Sequence, residues 1–195
     1  MADLKLKSPD IPIPLAMEHL PVTPNGYNKP WFVQGNDLRL TNQKKYLKCM
    51  EGKKTCWICG NANRKEHVFI TDVRAAMGNR SLEPASHADC SLHAIRVCPF
   101  LLLPRFKRRP DTMPTKYQEE ALDVIAHENP GVFAMTFVKK FEFGAPVKKV
   151  RAKFAYWKDE HIISQSVWSE GKILKENSNG ALKKAELAEY TDLKN

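Results

Sequence analysis

Cys56-Trp57-Ile58-Cys59-Gly60 and Glu83-Pro84-Ala85-Ser86-His87-Ala88-Asp89-Cys90 decide how the middle of this chain folds. Each segment carries two ligand-type side chains separated by two residues: a pair of thiols in the first, an imidazole and a thiol in the second. A Cys-x-x-Cys-Gly turn converges both sulfurs on one point, and the glycine supplies a backbone conformation other residues resist. In the second segment Pro84 and Ser86 signal a helix start, so His87 and Cys90 fall at i and i+3 on one face of a first turn. Two such pairs make the four-donor tetrahedral set that structural Zn²⁺ takes.

Between the pairs, Glu66-His67-Val68-Phe69-Ile70-Thr71 alternates as a strand and Gly78-Asn79 marks a turn. Knuckle, hairpin and a helix bearing the last two ligands make a treble-clef order. A redox Cys-x-x-Cys would open a helix directly after a strand, and that order is not found here. The fourth ligand stays open between His87 and Cys98, with His87 preferred: Pro99 ends the helix near Val97, and Cys98 lies eight residues beyond Cys90. His93 reads as a surface or outer-sphere histidine, His67 as a strand residue and Cys49 as a half-buried helical thiol.

Five cysteines, an odd number in metal-type spacing, argue against a disulfide framework. The N-terminus lacks an apolar signal core and no window reaches a membrane span, so the expected setting is a reducing cytoplasm. Lys and Arg exceed Asp and Glu by 31 to 22, giving +9, which favours a nucleic acid or an acidic protein surface as partner.

Proline at 9, 12, 14, 21, 24 and 30 forbids long helix or central strand, leaving an arm anchored by Ile11, Ile13, Leu15 and Leu20. Trp31–Gln34 and Asp37–Leu40 read as a hairpin, followed by a helix over 43–51 with Thr41-Asn42 as its cap and Tyr46, Leu47 and Met50 on one face. Lys44, Lys45, Lys48, Lys53 and Lys54 cover the rest of that helix and its end. Later, Arg105-Phe106-Lys107-Arg108-Arg109 and the run Lys148, Lys149, Arg151 are the segments best suited to phosphate contact. Thr115–His127 reads as a helix and Val132–Val138 as a strand buried on both faces. A turn at Gly144-Ala145-Pro146, strands over 150–157 and 162–168, a turn at Glu170-Gly171 and a helix ending near Leu187 complete the chain.

The expected fold is therefore α+β: a treble-clef-like zinc-binding N-terminal half packed on a small antiparallel sheet with flanking helices. Residues 1–110 form the arm and zinc module, and 111–195 an α-β-β-β-α half packed with it as one unit. No phosphate-binding loop, dinucleotide fingerprint, deaminase signature or nucleophile elbow occurs. The sharpest enzymatic alternative is a His-metal nuclease on a treble clef, with His67 as base and Asp72 or His93 as accessory group.

The segments Leu20-Pro21-Val22-Thr23-Pro24-Asn25-Gly26-Tyr27, Pro30-Trp31-Phe32-Val33, Cys56-Trp57-Ile58-Cys59-Gly60, Glu83-Pro84 with His87-x-x-Cys90, Cys98-Pro99-Phe100-Leu101, Asn129-Pro130-Gly131-Val132 and Trp168-Ser169-Glu170-Gly171-Lys172 together resemble a family of small bacteriophage and prophage proteins. The resemblance spans most of residues 20–185, with Lys172 standing where arginine is usual. It implies a phage accessory context and a zinc site, working in the host cytoplasm, and no particular reaction.

Overall fold

The computed structural model describes residues 11–35, 41–52, 55–62, 66–102, 131–146 and 153–191. The expected strand Asp37–Leu40, the helix over 115–127 and the basic residues Arg105, Lys107, Arg108, Arg109, Lys148, Lys149 and Arg151 lie outside that set.

The chain is α+β with two antiparallel sheets. The larger runs in the order β1 (His67–Asp72), β3 (Phe133–Val138), β6 (Ile162–Ser169), β7 (Lys172–Asn177), and the smaller in the order β2 (Arg80–Ser81), β5 (Lys153–Tyr156), β4 (Glu142–Pro146). Each sheet therefore joins a strand from before residue 110 to strands from after it.

The continuous apolar run Val132–Val138 is explained by this order, because β3 has a neighbour on either edge and a covered surface on either face. Phe133 and Met135, with Val68 of β1 and Trp168 of β6, meet Ile95 of helix α3 (Ala88–Val97) and Phe100 of α4 (Pro99–Leu102). On the opposite face Val138 meets Phe69, Phe141, Ala155 and Trp157, which links the two sheets. Further along that face Val132 and Val167 meet Val73 of α2 (Val73–Met77) and Leu187 of α5 (Lys184–Ala188). Strand alternation thus sends odd and even positions of β3 to different cores.

Several expectations need correction. The strand at 67–71 is present, but β1 and β2 do not form a hairpin with each other: β1 pairs with β3 and β2 with β5. Helix α2 intervenes, its N-terminus capped by Asp72 through a 2.8 Å bond from the Ala75 amide. Val68 instead pairs with Ser86 just ahead of α3, by reciprocal bonds of 3.0 and 2.9 Å. The Glu170-Gly171 turn is present with φ of 49° and 73°, both positive as a tight primed hairpin turn requires. It returns the chain into β7, where the sequence reading found no strand. Gly144-Ala145-Pro146, read as a turn, belongs to edge strand β4, where the Tyr156 ring packs so close to Gly144 that a Cβ would lie 2.6 Å from it. Trp31–Gln34 is a turn with one bridge, Val33 to Thr41. In the arm the buried anchors are Met17 and Leu20, while Leu15 is 83% exposed.

Helix α1 (Gln43–Gly52) is as expected, with the Asn42 side chain accepting from the Lys45 amide at 3.1 Å. Its Tyr46 packs edge-on against Trp57, which stacks on Phe32 with centroids 4.2 Å apart.

Gln165 joins the C-terminal segment to the sheet. Its Nε2 donates to Thr136 Oγ1 and its Oε1 accepts from the Leu182 amide, both at 2.9 Å, in a fully buried setting. Gln165→Leu keeps the volume and leaves that amide unpaired, so urea denaturation should show a loss of about 1–3 kcal/mol.

Candidate metal centre

The knuckle is built by backbone bonds before any side chain contributes. The Gly60 amide donates to the Cys56 carbonyl at 2.9 Å, and the Cys56 amide to the Asn61 carbonyl at 2.8 Å. Gly60 takes φ +79°, and a Cβ there would lie 2.5 Å from Trp31 Cγ. Two independent constraints, a left-handed backbone and a ring lying directly on the residue, exclude a side chain.

The second pair is delivered by the start of α3. His87 is its N-cap residue, one position earlier than a first-turn ligand would be, and Cys90 lies in the first turn. Ser86, the expected cap, is engaged with Val68 instead.

The donor atoms of Cys56, Cys59, His87 and Cys90 all lie within 4.8 Å of one another, close enough to hold a metal ion. His87 Nδ1 is 3.4 Å from Cys59 Sγ and 3.7 Å from Cys90 Sγ. Ligands of a tetrahedral ion at ordinary Zn–S and Zn–N lengths stand about 3.5–3.8 Å apart, so the separations suit zinc. The far side of the imidazole is tied down as well: Nε2–H donates to the Ala62 carbonyl at 2.9 Å, which leaves the Nδ1 lone pair aimed at the sulfurs. All three sulfur-bearing residues have zero exposure.

The electrostatics match a cation site. The thiols of Cys59 and Cys90 donate to Cys56 and hold it far below the usual thiol range, helped by the backbone amide of Cys59. Donation to Cys56 in turn pushes Cys59 up to about 11 and raises Cys90. The hydrogen bond to Cys56 also raises His87. Three sulfurs and an imidazole are thus competing for shared protons, and a dication satisfies all four donors at once.

A surrounding layer holds these ligands. Met17 and Leu20 of the arm pack on Cys56, Ile58, Cys59 and Cys90. His19 Nε2–H donates to the Cys59 carbonyl at 3.0 Å, and Asn61 Nδ2 to the Ala16 carbonyl at 3.2 Å. No spacing in the sequence points to His19, which comes from forty residues upstream.

The remaining candidates fall elsewhere. Cys98 caps the C-terminal end of α3, about 12 Å along the helix from Cys90, so it is outside the cluster. His93 is neither a surface nor an outer-sphere residue: it is buried, its Nδ1–H donates to the Pro12 carbonyl at 3.2 Å, and burial lowers its pKa. His67 packs edge-on against Phe141 at 4.9 Å. Cys49 is fully rather than half buried, and desolvation pushes its thiol up to about 12.

Compared with known proteins, the chain matches no family model, no curated protein and no solved structure.

The Gly60 contact can be tested against Gly35, whose φ is also positive at +59° but where a Cβ would meet no atom of the described residues within 4 Å. Gly35→Ala should cost about 1 kcal/mol from the backbone alone. Gly60→Ala should cost about 2 kcal/mol more, because Trp31 must also move, as read from paired denaturation curves.

Proposed function

We propose that Cys56, Cys59, His87 and Cys90 bind one structural Zn²⁺ in a treble-clef-like module, and that the protein is a phage-type accessory protein binding nucleic acid through basic loops. The observation that carries the metal assignment is the approach of four donor atoms to within 4.8 Å, from two segments 28 residues apart. With four protein donors a tetrahedral ion has no position left for water, so its part is to fasten the knuckle to α3. Three thiolates, a neutral imidazole and a dication sum to −1, a charge that the positive end of α3 favours.

The nucleic-acid reading draws its support from the +9 balance and from the clustering of Arg105, Lys107, Arg108, Arg109, Lys148, Lys149 and Arg151 in sequence. In the nuclease alternative, the pairing of His67 with Asp72 finds no support in the geometry. His67 and Asp72 occupy opposite ends of β1, about 16 Å apart at the rise of a strand, and Asp72 is already engaged as a helix cap. Among the described residues no helix is long and apolar enough to cross a membrane.

Elemental analysis of gently purified protein should find one zinc per chain, retained in Cys98→Ser and lost in His87→Ala and Cys56→Ser. Zinc below a tenth of the protein concentration in the unaltered chain would reject the metal assignment. Arg108→Ala with Arg109→Ala should weaken oligonucleotide binding about tenfold and reduce its salt dependence by about two phosphate contacts.

A further inference from the structure

A second basic surface, made of described residues, lies where α1 meets the knuckle. Gly60 covers one face of the Trp31 indole. Over the same ring stand two ammonium groups, Lys45 Nζ at 5.0 Å and Lys48 Nζ at 5.6 Å from the centroid. Lys45 Nζ also donates to the Trp31 carbonyl at 2.5 Å, which fixes the nearer cation. Lys44 and Lys48 are exposed and Lys45 is half-buried.

Among the described residues these charges have no acidic partner. Lys140, Lys158 and Lys175 each stand within 4 Å of a glutamate, whereas among the described residues no carboxylate pairs with Lys44, Lys45 or Lys48. Their placement also opposes the helix that carries them. Lys44 and Lys45 occupy the first turn of α1, the positive end of its dipole, and no acidic residue shares that turn. Lys45 and Lys48 are like charges three residues apart, held on one ring. An anion lying between them reverses the sign of each of these interactions.

We propose that Lys45 and Lys48, carried on the Trp31 indole with Lys44 beside them, form a phosphodiester-binding face for the backbone of a nucleic acid. This rests on the nucleic-acid reading above and assigns it a place. Gly60 lies on the indole and the two ammonium groups stand over it, so what the site offers is cations, and the contact is to phosphate and independent of sequence. A phosphodiester chain presents successive anions to cations on successive turns of α1, which an acidic protein patch does only where it is shaped to match. The site also depends on the knuckle, since Gly60 holds the indole from behind.

The test is fluorescence anisotropy with a labelled single-stranded oligonucleotide and the matching duplex, titrated across a salt series. Lys45→Gln with Lys48→Gln should weaken binding about tenfold or more and lower the slope of log K against log salt by about 2, equally for different sequences. Lys48→Gln alone, which breaks no backbone bond, should lower the slope by about 1 and serves if the double variant folds poorly. Lys158→Gln with Lys172→Gln removes the same net charge elsewhere and should leave the slope in place. Unaltered protein that binds while the Lys45/Lys48 variant binds equally overturns this inference and leaves the nucleic-acid reading standing. An equal loss in the Lys158/Lys172 variant also overturns it, by reducing the effect to net charge. Polyglutamate competing as well as the oligonucleotide would assign the face to an acidic protein instead. Failure of the unaltered protein to bind either oligonucleotide at low salt removes the parent reading, and this one with it.

Discussion

Three buried sulfurs and a half-buried imidazole meet at the junction of the knuckle and α3, and this is the constraint on which the surrounding packing rests. A thiolate in that position without a cation is costly, because burial disfavours the charged form. Shared protons meet only part of that cost, which is why Cys56 is held low while Cys59 and Cys90 are driven up. Among the described residues few other bonds tie the knuckle to the start of α3 beside that of His87 Nε2–H to the Ala62 carbonyl. The Trp57 amide reaches the Ala85 carbonyl at 3.0 Å and the His87 amide reaches Cys56 Sγ at 3.4 Å. The donor cluster therefore fixes where α3 begins, and α3 in turn covers one face of the larger sheet through Ile95.

The same junction orders the outer parts of the N-terminal half. Trp31 is pinned by its amide to the Ile58 carbonyl at 2.7 Å and lies on Gly60. Phe32 beside it stacks on Trp57, and Tyr46 closes the stack while its hydroxyl donates to the Leu82 carbonyl at 2.9 Å. Arm, helix α1 and the segment before α3 thus converge on aromatic groups that the knuckle positions. The arm itself is held by polar bonds to backbone carbonyls as much as by burial, with His19 and His93 supplying one each. A proline-rich segment has few amides to donate, so side chains tie it: His93 and Asn61 donate to its Pro12 and Ala16 carbonyls, and its own His19 donates outward to the Cys59 carbonyl.

The parts legible in the sequence are those governed by local chemistry. Ligand spacing two residues apart is set by the knuckle and by one turn of helix, so Cys56, Cys59 and Cys90 could be read without knowing the fold, while the choice of His87 over Cys98 stayed open until the helix placed Cys98 at its far end. The apolar run of β3 could be read because both of its faces are buried. By contrast Lys172-Ile173-Leu174-Lys175-Glu176-Asn177 carries no alternation: it is an edge strand with Ile173 47% and Leu174 44% exposed, made into a strand by the turn before it and by β6 beside it. Gly144 and Pro146 read as punctuation because their roles in β4 depend on β5, where Tyr156 lies against Gly144 and Lys153 pairs with Pro146. Pairing of β1 with β3 rather than with β2 was equally hidden. Two residues of β2 cannot specify a partner, and the choice is made by the cores on either side of β3.

Stability and surface charge pull apart in α1, and that separation bears on what the N-terminal half does. Lysine stems can cover apolar surface while their heads stay in water, so a lysine over tryptophan is by itself an ordinary packing device. One lysine would serve that purpose, and a neighbouring glutamate would neutralise it at no loss of packing. Here two ammonium groups share the ring, a third stands beside them at the positive end of the helix, and the turn holds no acidic residue. A helix selected only for stability would carry the opposite charges at those positions. Four donors converging on one point would leave a tetrahedral ion no open coordination position. The cations fixed on Trp31 are the part of the surface whose arrangement folding alone does not explain.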